Sequence, residues 1–141
     1  MKNSVLCYLE DTVRRFPDKT ALTDENGEVT FSEWRNKGLC VAEEIKKRNN
    51  NSPFPIFVYL PKSAMALIAF VGVLYSGNYY TPTDVKFPFE KAKSIIKGLN
   101  PQIIITNREC SKKLINGGIS SELMLFVEDI DMSRQDIDSS K

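Results

Sequence analysis

The sequence predicts an α/β fold: a mainly parallel sheet with helices on both faces, preceded by an N-terminal helix and a small β-hairpin. Three observations carry this. Short apolar runs rich in β-branched residues recur at 56–60, 103–106 and 123–127, and near-continuous apolar runs of that length suit strands buried on both faces. Helical patterns separate them, at 64–75, 89–99 and 108–116, which is the strand–helix alternation of parallel sheets. Ahead of these lies Asn26-Gly27 between two short strand-like stretches.

From the N-terminus, residues 4–15 carry Val5, Leu9, Val13 and then Phe16 at helical spacing, and Pro17-Asp18 ends the segment. Strands at 21–24 and 28–31 flank Asn26-Gly27, a pair suited to the positive φ angles of a type I′ turn. Thr30 and Glu33 form a T-x-x-E box, in which each side chain satisfies the other's free backbone N–H. A helix from Phe31 to about Arg48 follows, with Phe31, Trp34, Gly38, Val41 and Ile45 on one face. The basic residues Lys46, Lys47 and Arg48 close it, as its dipole favours. Residues 49–53 are a loop of turn formers.

Ser63 is placed to cap the next helix, 64–75, which is apolar on nearly every side and therefore expected between the sheet and another layer. Gly77 suits the position just past its end, where a left-handed conformation is needed. Residues 79–84 read as a strand or a turn. Pro88 suits a first helical position, and Phe89, Ala92, Ile95, Ile96 and Leu99 form a stripe with Lys91, Lys93 and Lys97 outside.

One domain is expected, covering 1–128, with 129–141 a polar, mobile tail. A net charge of +1 gives no reason to expect a nucleic-acid or membrane-surface partner. The longest apolar run has twelve residues, short of the roughly 20 needed to cross a bilayer. The start has no long apolar core, so it does not read as a secretory signal. Cys7, Cys40 and Cys110 lack metal-site spacing and are expected as free thiols in a reducing cytoplasm. The chain contains no histidine, which excludes Ser-His-Asp and Cys-His chemistry from it.

Four stretches in order resemble the N-terminal part of the adenylate-forming enzymes: amino-acid adenylation domains, D-alanine–carrier-protein ligases, acyl-CoA synthetases and luciferases. Phe16-Pro17-Asp18-Lys19-Thr20-Ala21-Leu22 is similar to the family's opening P-x-K-x-A pattern. Val29-Thr30-Phe31-Ser32-Glu33-Trp34 is similar to L-T-Y-x-E-L, with Trp34 where Leu is usual. Leu60-Pro61-Lys62-Ser63 resembles the family's strand-to-helix turn. The most specific stretch is 74–84, whose Gly77, Tyr80, Pro82 and Asp84 match L-K-A-G-x-(A/Y)-(Y/V)-(V/I/T)-P-(L/I/V)-D, with Pro88 matching a later proline. Tyr75 replaces the usual Lys, Ser76 the Ala and Thr83 the aliphatic residue.

The resemblance implies an intact protein that uses ATP and Mg²⁺ to convert a carboxylate into an acyl-adenylate. It then passes the acyl group to a thiol, on a carrier protein's phosphopantetheine or on CoA. The Pro-x-Asp form points to amino-acid activation, with acyl-CoA synthetase as the runner-up. The family's Ser/Thr/Gly-rich phosphate loop and its catalytic Lys have no counterpart in this sequence, and residues 116–121 read as a turn. The chain is therefore expected to be the inactive front portion of a larger enzyme, with the remainder of its own chain as partner. A non-catalytic α/β binding or scaffolding module is the alternative from another class.

No residue is expected to be catalytic. Asp84 reads as a turn carboxylate bonding nearby N–H groups, Lys62 as a solvated cation, Ser63 as a cap without a base beside it. Tyr79 and Tyr80 read as residues of a sheet edge or interdomain surface, Trp34 as core and the cysteines as packing residues.

Overall fold

The structure, a computed structural model, describes residues 4–83 and 85–133. Helix α1 (Ser4–Arg15) is followed by the antiparallel pair β1 (Thr20–Asp24) and β2 (Gly27–Thr30), and then by α2 (Phe31–Arg48). Four parallel strands come next: β3 (Pro55–Tyr59), β4 (Tyr79–Thr83), β5 (Ile103–Thr106) and β6 (Met124–Phe126). Helices α3 (Ala64–Tyr75), α4 (Phe89–Leu99) and α5 (Arg108–Asn116) connect them.

The spatial order is β4-β3-β5-β6, so the chain adds β4 to one side of β3 and then crosses back to add β5 on the other. Phe57 lies between Thr81 and Ile104, and both faces of β3 are covered. One face packs Ile56, Val58, Ile103 and Ile105 under Val41 and Ile45 of α2 and Ile68, Ala69 and Val73 of α3. The other packs Phe57, Tyr59, Ile104 and Met124 under Ala92 and Ile96 of α4 and Leu114 of α5. Helix α1 lies outside α2 and α3 and buries only Leu9 among its apolar residues.

Local signals place most boundaries. Thr30 and Glu33 form both halves of the capping box at the start of α2. The end of α3 is a Schellman motif: Asn78 N–H donates to Val73 O at 3.2 Å and Gly77 N–H to Leu74 O at 3.0 Å, with Gly77 at φ 84°. Residues 79–84, open between strand and turn, contribute strand β4, whose Pro82 sits opposite Val58. An edge position tolerates proline because the missing N–H need not face a partner strand.

Three expectations need correction. The hairpin turn falls on Glu25-Asn26, not Asn26-Gly27; only Gly27 has positive φ (129°), so the turn is not type I′. The Asp24 carboxylate accepts the Asn26 N–H at 2.9 Å, closing the turn one residue earlier. Pro88 is the N-cap of α4 rather than its first helical residue. The segment expected as a mobile tail from 129 contributes Ile130, 8% exposed, to the core, and Arg108 pairs with Asp129 at 2.6 Å. The rest of that segment, 134–141, lies outside the described residues, as does Asp84. No helix among the described residues is long and apolar enough to cross a membrane.

Candidate functional site

Ligands of open parallel sheets bind beyond the carboxyl ends of the strands, where the strand order reverses. That point here lies between β3 and β5, and it is closed. Thr106, fully buried, donates its hydroxyl to Tyr59 O at 2.8 Å across the two strand ends. The open space lies one strand over. A groove of about 380 Å³ is lined by Leu60, Lys62 and Ser63 after β3, by Ala66, Leu67 and Phe70 of α3, and by Thr83 at the end of β4.

The chemistry of this groove follows from how its polar groups are already engaged. Ser63 donates to Pro61 O at 2.9 Å and accepts from Ala66 N–H at 3.3 Å, so its hydroxyl is engaged as a helix cap. Lys62 is exposed at the rim. Thr83 is 5% exposed, and its hydroxyl has no hydrogen-bond partner among the described residues. Tyr80 stacks on Phe70 with centroids 4.5 Å apart and planes 8° from parallel. The groove thus has an apolar floor and the Lys62 cation at its edge. It can hold an apolar group, and its described lining residues include no acid–base pair.

Asp24 is a participant that motif reading missed. Its carboxylate leaves the hairpin turn and accepts the Ala64 N–H at 2.9 Å, occupying the positive N-terminal end of α3. That bond first, and the Asn26 N–H second, hold its pKa below the usual carboxylate value. Glu33 is lowered in the same direction by the Thr30 N–H. A second cluster ties three helices together: Arg35 of α2 and Tyr75 of α3 both donate to Glu10 of α1, the tyrosine at 2.5 Å. Burial, and then the Glu10 hydrogen bond, push the Tyr75 phenol well above its ordinary pKa.

The sequence motif residues thus divide. Lys62 and Ser63 meet Thr83 at the groove, with Tyr80 behind Phe70, while Pro61 is exposed just after β3. Thr30, Glu33 and Gly77 shape helix ends. Pro82 and Pro88 sit in β4 and at the start of α4. Trp34 is partly buried and donates to Leu67 O at 3.1 Å. Of the cysteines only Cys40 is buried; Cys7 is exposed, correcting its reading as a packing residue, and burial raises the pKa of the half-buried Cys110.

The Gly-Gly stretch after α5 has its backbone donors engaged within the chain. Gly117 N–H bonds to Lys113 O and Leu114 O, Gly118 N–H to Ile115 O, and Ile119 N–H to Leu114 O, so these donors are committed to ending α5. Among the described residues no cluster of three or more His, Cys, Asp or Glu is placed to hold a metal ion.

A parallel sheet between two helical layers, entered through a capping-box helix and a strand–turn–helix at Pro61-Lys62-Ser63, defines the N-terminal region of an adenylate-forming enzyme. The family description "AMP-binding enzyme" matches residues 9–139, and the chain belongs to that family. It is 36% identical over 115 residues to a D-alanine--D-alanyl carrier protein ligase of Listeria monocytogenes, covering 81% of this chain and 22% of the relative. It is 25% identical over 126 residues to tyrocidine synthase 1 of Brevibacillus parabrevis, covering 89% of this chain and 12% of the relative. The chain therefore spans a minor part of each. Among solved structures, a fatty acid AMP ligase from Legionella pneumophila superposes with TM-score 0.80 at 16% identity, over 94% of this chain and 24% of that one. That likeness concerns the fold.

Proposed function

We propose that this chain is the N-terminal part of an ATP-dependent ligase that activates an amino acid as its adenylate. The ligase then transfers the aminoacyl group to the phosphopantetheine thiol of a carrier protein. The observation that carries the proposal is the family match across 9–139, together with the likeness to a relative named as a D-alanine--D-alanyl carrier protein ligase. In this reading the region is scaffold. ATP and Mg²⁺ act in the larger, cytoplasmic protein, and the 141 residues alone are inactive.

Two measurements test the reading. The isolated chain should give no ATP–pyrophosphate exchange with D-alanine, other amino acids or fatty acids; any exchange overturns the inactivity. A longer protein carrying this region should exchange with an amino acid and load a carrier protein. Exchange only with aliphatic acids, followed by CoA thioester formation, would replace amino-acid activation with acyl-CoA synthesis. No exchange with any carboxylate would leave the scaffolding module.

A further inference from the structure

Helix α1 turns large apolar side chains to solvent. Tyr8 is 78% exposed, Val5 55% and Phe16 49%. Tyr8, Thr12 and Phe16 stand at i, i+4 and i+8, which places them in one row, and Phe16 N–H still bonds to Thr12 O at 2.8 Å. Beside this row α1, α2 and α3 enclose a groove of about 550 Å³, lined by Val5, Tyr8, Leu9, Phe31, Trp34 and Val71 among others. Row and groove adjoin as a largely apolar face, with the Arg15 and Lys19 cations resting over the Phe16 ring at its end.

The charges on the flank of that row say what can cover it. Asp11 sits one turn before Arg15 and pairs within the helix with Arg14 and Arg15. Under a two-fold axis near Thr12, an antiparallel copy of α1 sets each Asp11 against Arg14 or Arg15 of its mate and each Tyr8 against Phe16. A parallel copy brings like charges together instead. The mixed signs also differ from the Lys/Arg-rich polar face of helices that lie on membranes.

We propose that α1 and the adjoining groove are the seat of a two-fold symmetric, antiparallel association with a second copy of this chain. An isologous contact needs only that one patch complement itself, and the row, groove and charge order meet that condition. Twelve helical residues span about 18 Å, so the contact is small and the dimer weak and concentration-dependent.

Trp34 is the only tryptophan and lines the groove, so its fluorescence reports on coverage. Sedimentation velocity of the 141-residue chain, from low micromolar to hundreds of micromolar, should show a monomer–dimer equilibrium. A blue shift of Trp34 emission should follow the same curve. Tyr8→Glu should weaken association by at least about tenfold, roughly 1.4 kcal/mol, with an unchanged far-UV circular dichroism spectrum. Phe87→Glu, at an exposed aromatic on the other side of the sheet, should leave association intact. Asp11→Arg should weaken self-association, and mixing it with the Arg14→Asp/Arg15→Asp variant should restore a heterodimer. A monomer at every concentration with unchanged Trp34 emission overturns the proposal, as does a dimer indifferent to Tyr8→Glu. Failure of the charge swap to restore pairing overturns the antiparallel arrangement. Tyr8-dependent binding to anionic vesicles by a protein that stays monomeric would assign the face to a lipid surface instead.

Discussion

The two helical layers on either side of the sheet are held in different ways. On the α4–α5 side the join to the sheet is mainly apolar: Phe89, Ala92, Ile95, Ile96, Leu99 and Leu114 pack in the cluster beneath these helices, and the polar ties lie at its margins, from Lys113 to Val85 O and from Arg108 to Glu128 and Asp129. On the α1–α3 side polar groups far apart in sequence lock the helices. Glu10 takes Arg35 and Tyr75, Asp24 takes the Ala64 N–H, and Trp34 reaches Leu67 O. Glycines there also let backbones approach; a Cβ on Gly72 would stand 2.5 Å from Val41 Cβ and 2.9 Å from Gly38 O. The difference teaches that a stripe of apolar residues suffices to seat one helix on a sheet. Stacking a further layer of helices needs contacts that fix their rotation.

The sharpest way to break this contrast is to crowd both layers. Gly72→Ala meets backbone that cannot swing aside, so overpacking of about 1–3 kcal/mol outweighs the roughly 1 kcal/mol gained in helix propensity. Gly117→Ala collides with the Phe89 ring at 1.9 Å, a nearer approach, yet a half-buried side chain can rotate away. Urea denaturation should therefore rank Gly72→Ala as the more damaging. The reverse order would mean that the α4–α5 layer is the more rigid one.

Next in size is Tyr75→Phe, which keeps the ring and deletes the bond to Glu10. A hydrogen bond to a charged group contributes about 1.5–3 kcal/mol when sheltered, and partial exposure of Glu10 reduces this toward about 1 kcal/mol. Hydrogen exchange should accelerate in α1 and stay unchanged in α4. Uniform acceleration would show that the Glu10 cluster supports the whole domain rather than one layer.

The smallest effect is acid sensitivity. Asp24 and Glu33 both have pKa values below those of the unfolded chain, so their stabilisation is complete above the ordinary carboxylate range. It is lost as pH falls through their folded values. Both serve the α1–α3 side, so exchange near β1, β2 and the starts of α2 and α3 should rise first below about pH 4. Asp24→Asn should flatten that pH dependence while lowering stability slightly at neutral pH. An unaltered acid profile in this variant would remove Asp24 from the account.

The same contrast explains what could be read in the sequence. The α4 stripe, the Thr30–Glu33 box, the Ser63 cap and the Gly77 terminus all lie within a few residues of their partners, and each was legible. The hairpin turn was misplaced because its position depends on Asp24, whose second carboxylate oxygen is held by Ala64, forty positions away. Glu10, Arg35 and Tyr75 lie on three helices and carry no local signature. At the groove, Lys62 and Ser63 were visible as part of a strand-to-helix turn. Thr83 was noted only as a departure from an aliphatic position, and its place beside Lys62 required knowing that β4 pairs with β3.

The strand order has a consequence for the nascent chain. Strand β3 gains β4 soon after emergence, but its other flank waits for β5, and Tyr59 meets Thr106 across 47 positions. At roughly 5–20 residues per second of synthesis, Ile56, Phe57 and Val58 leave the ribosome several seconds before that flank is paired. During this interval the future centre of the sheet is an open edge, the kind of surface on which one polypeptide catches another.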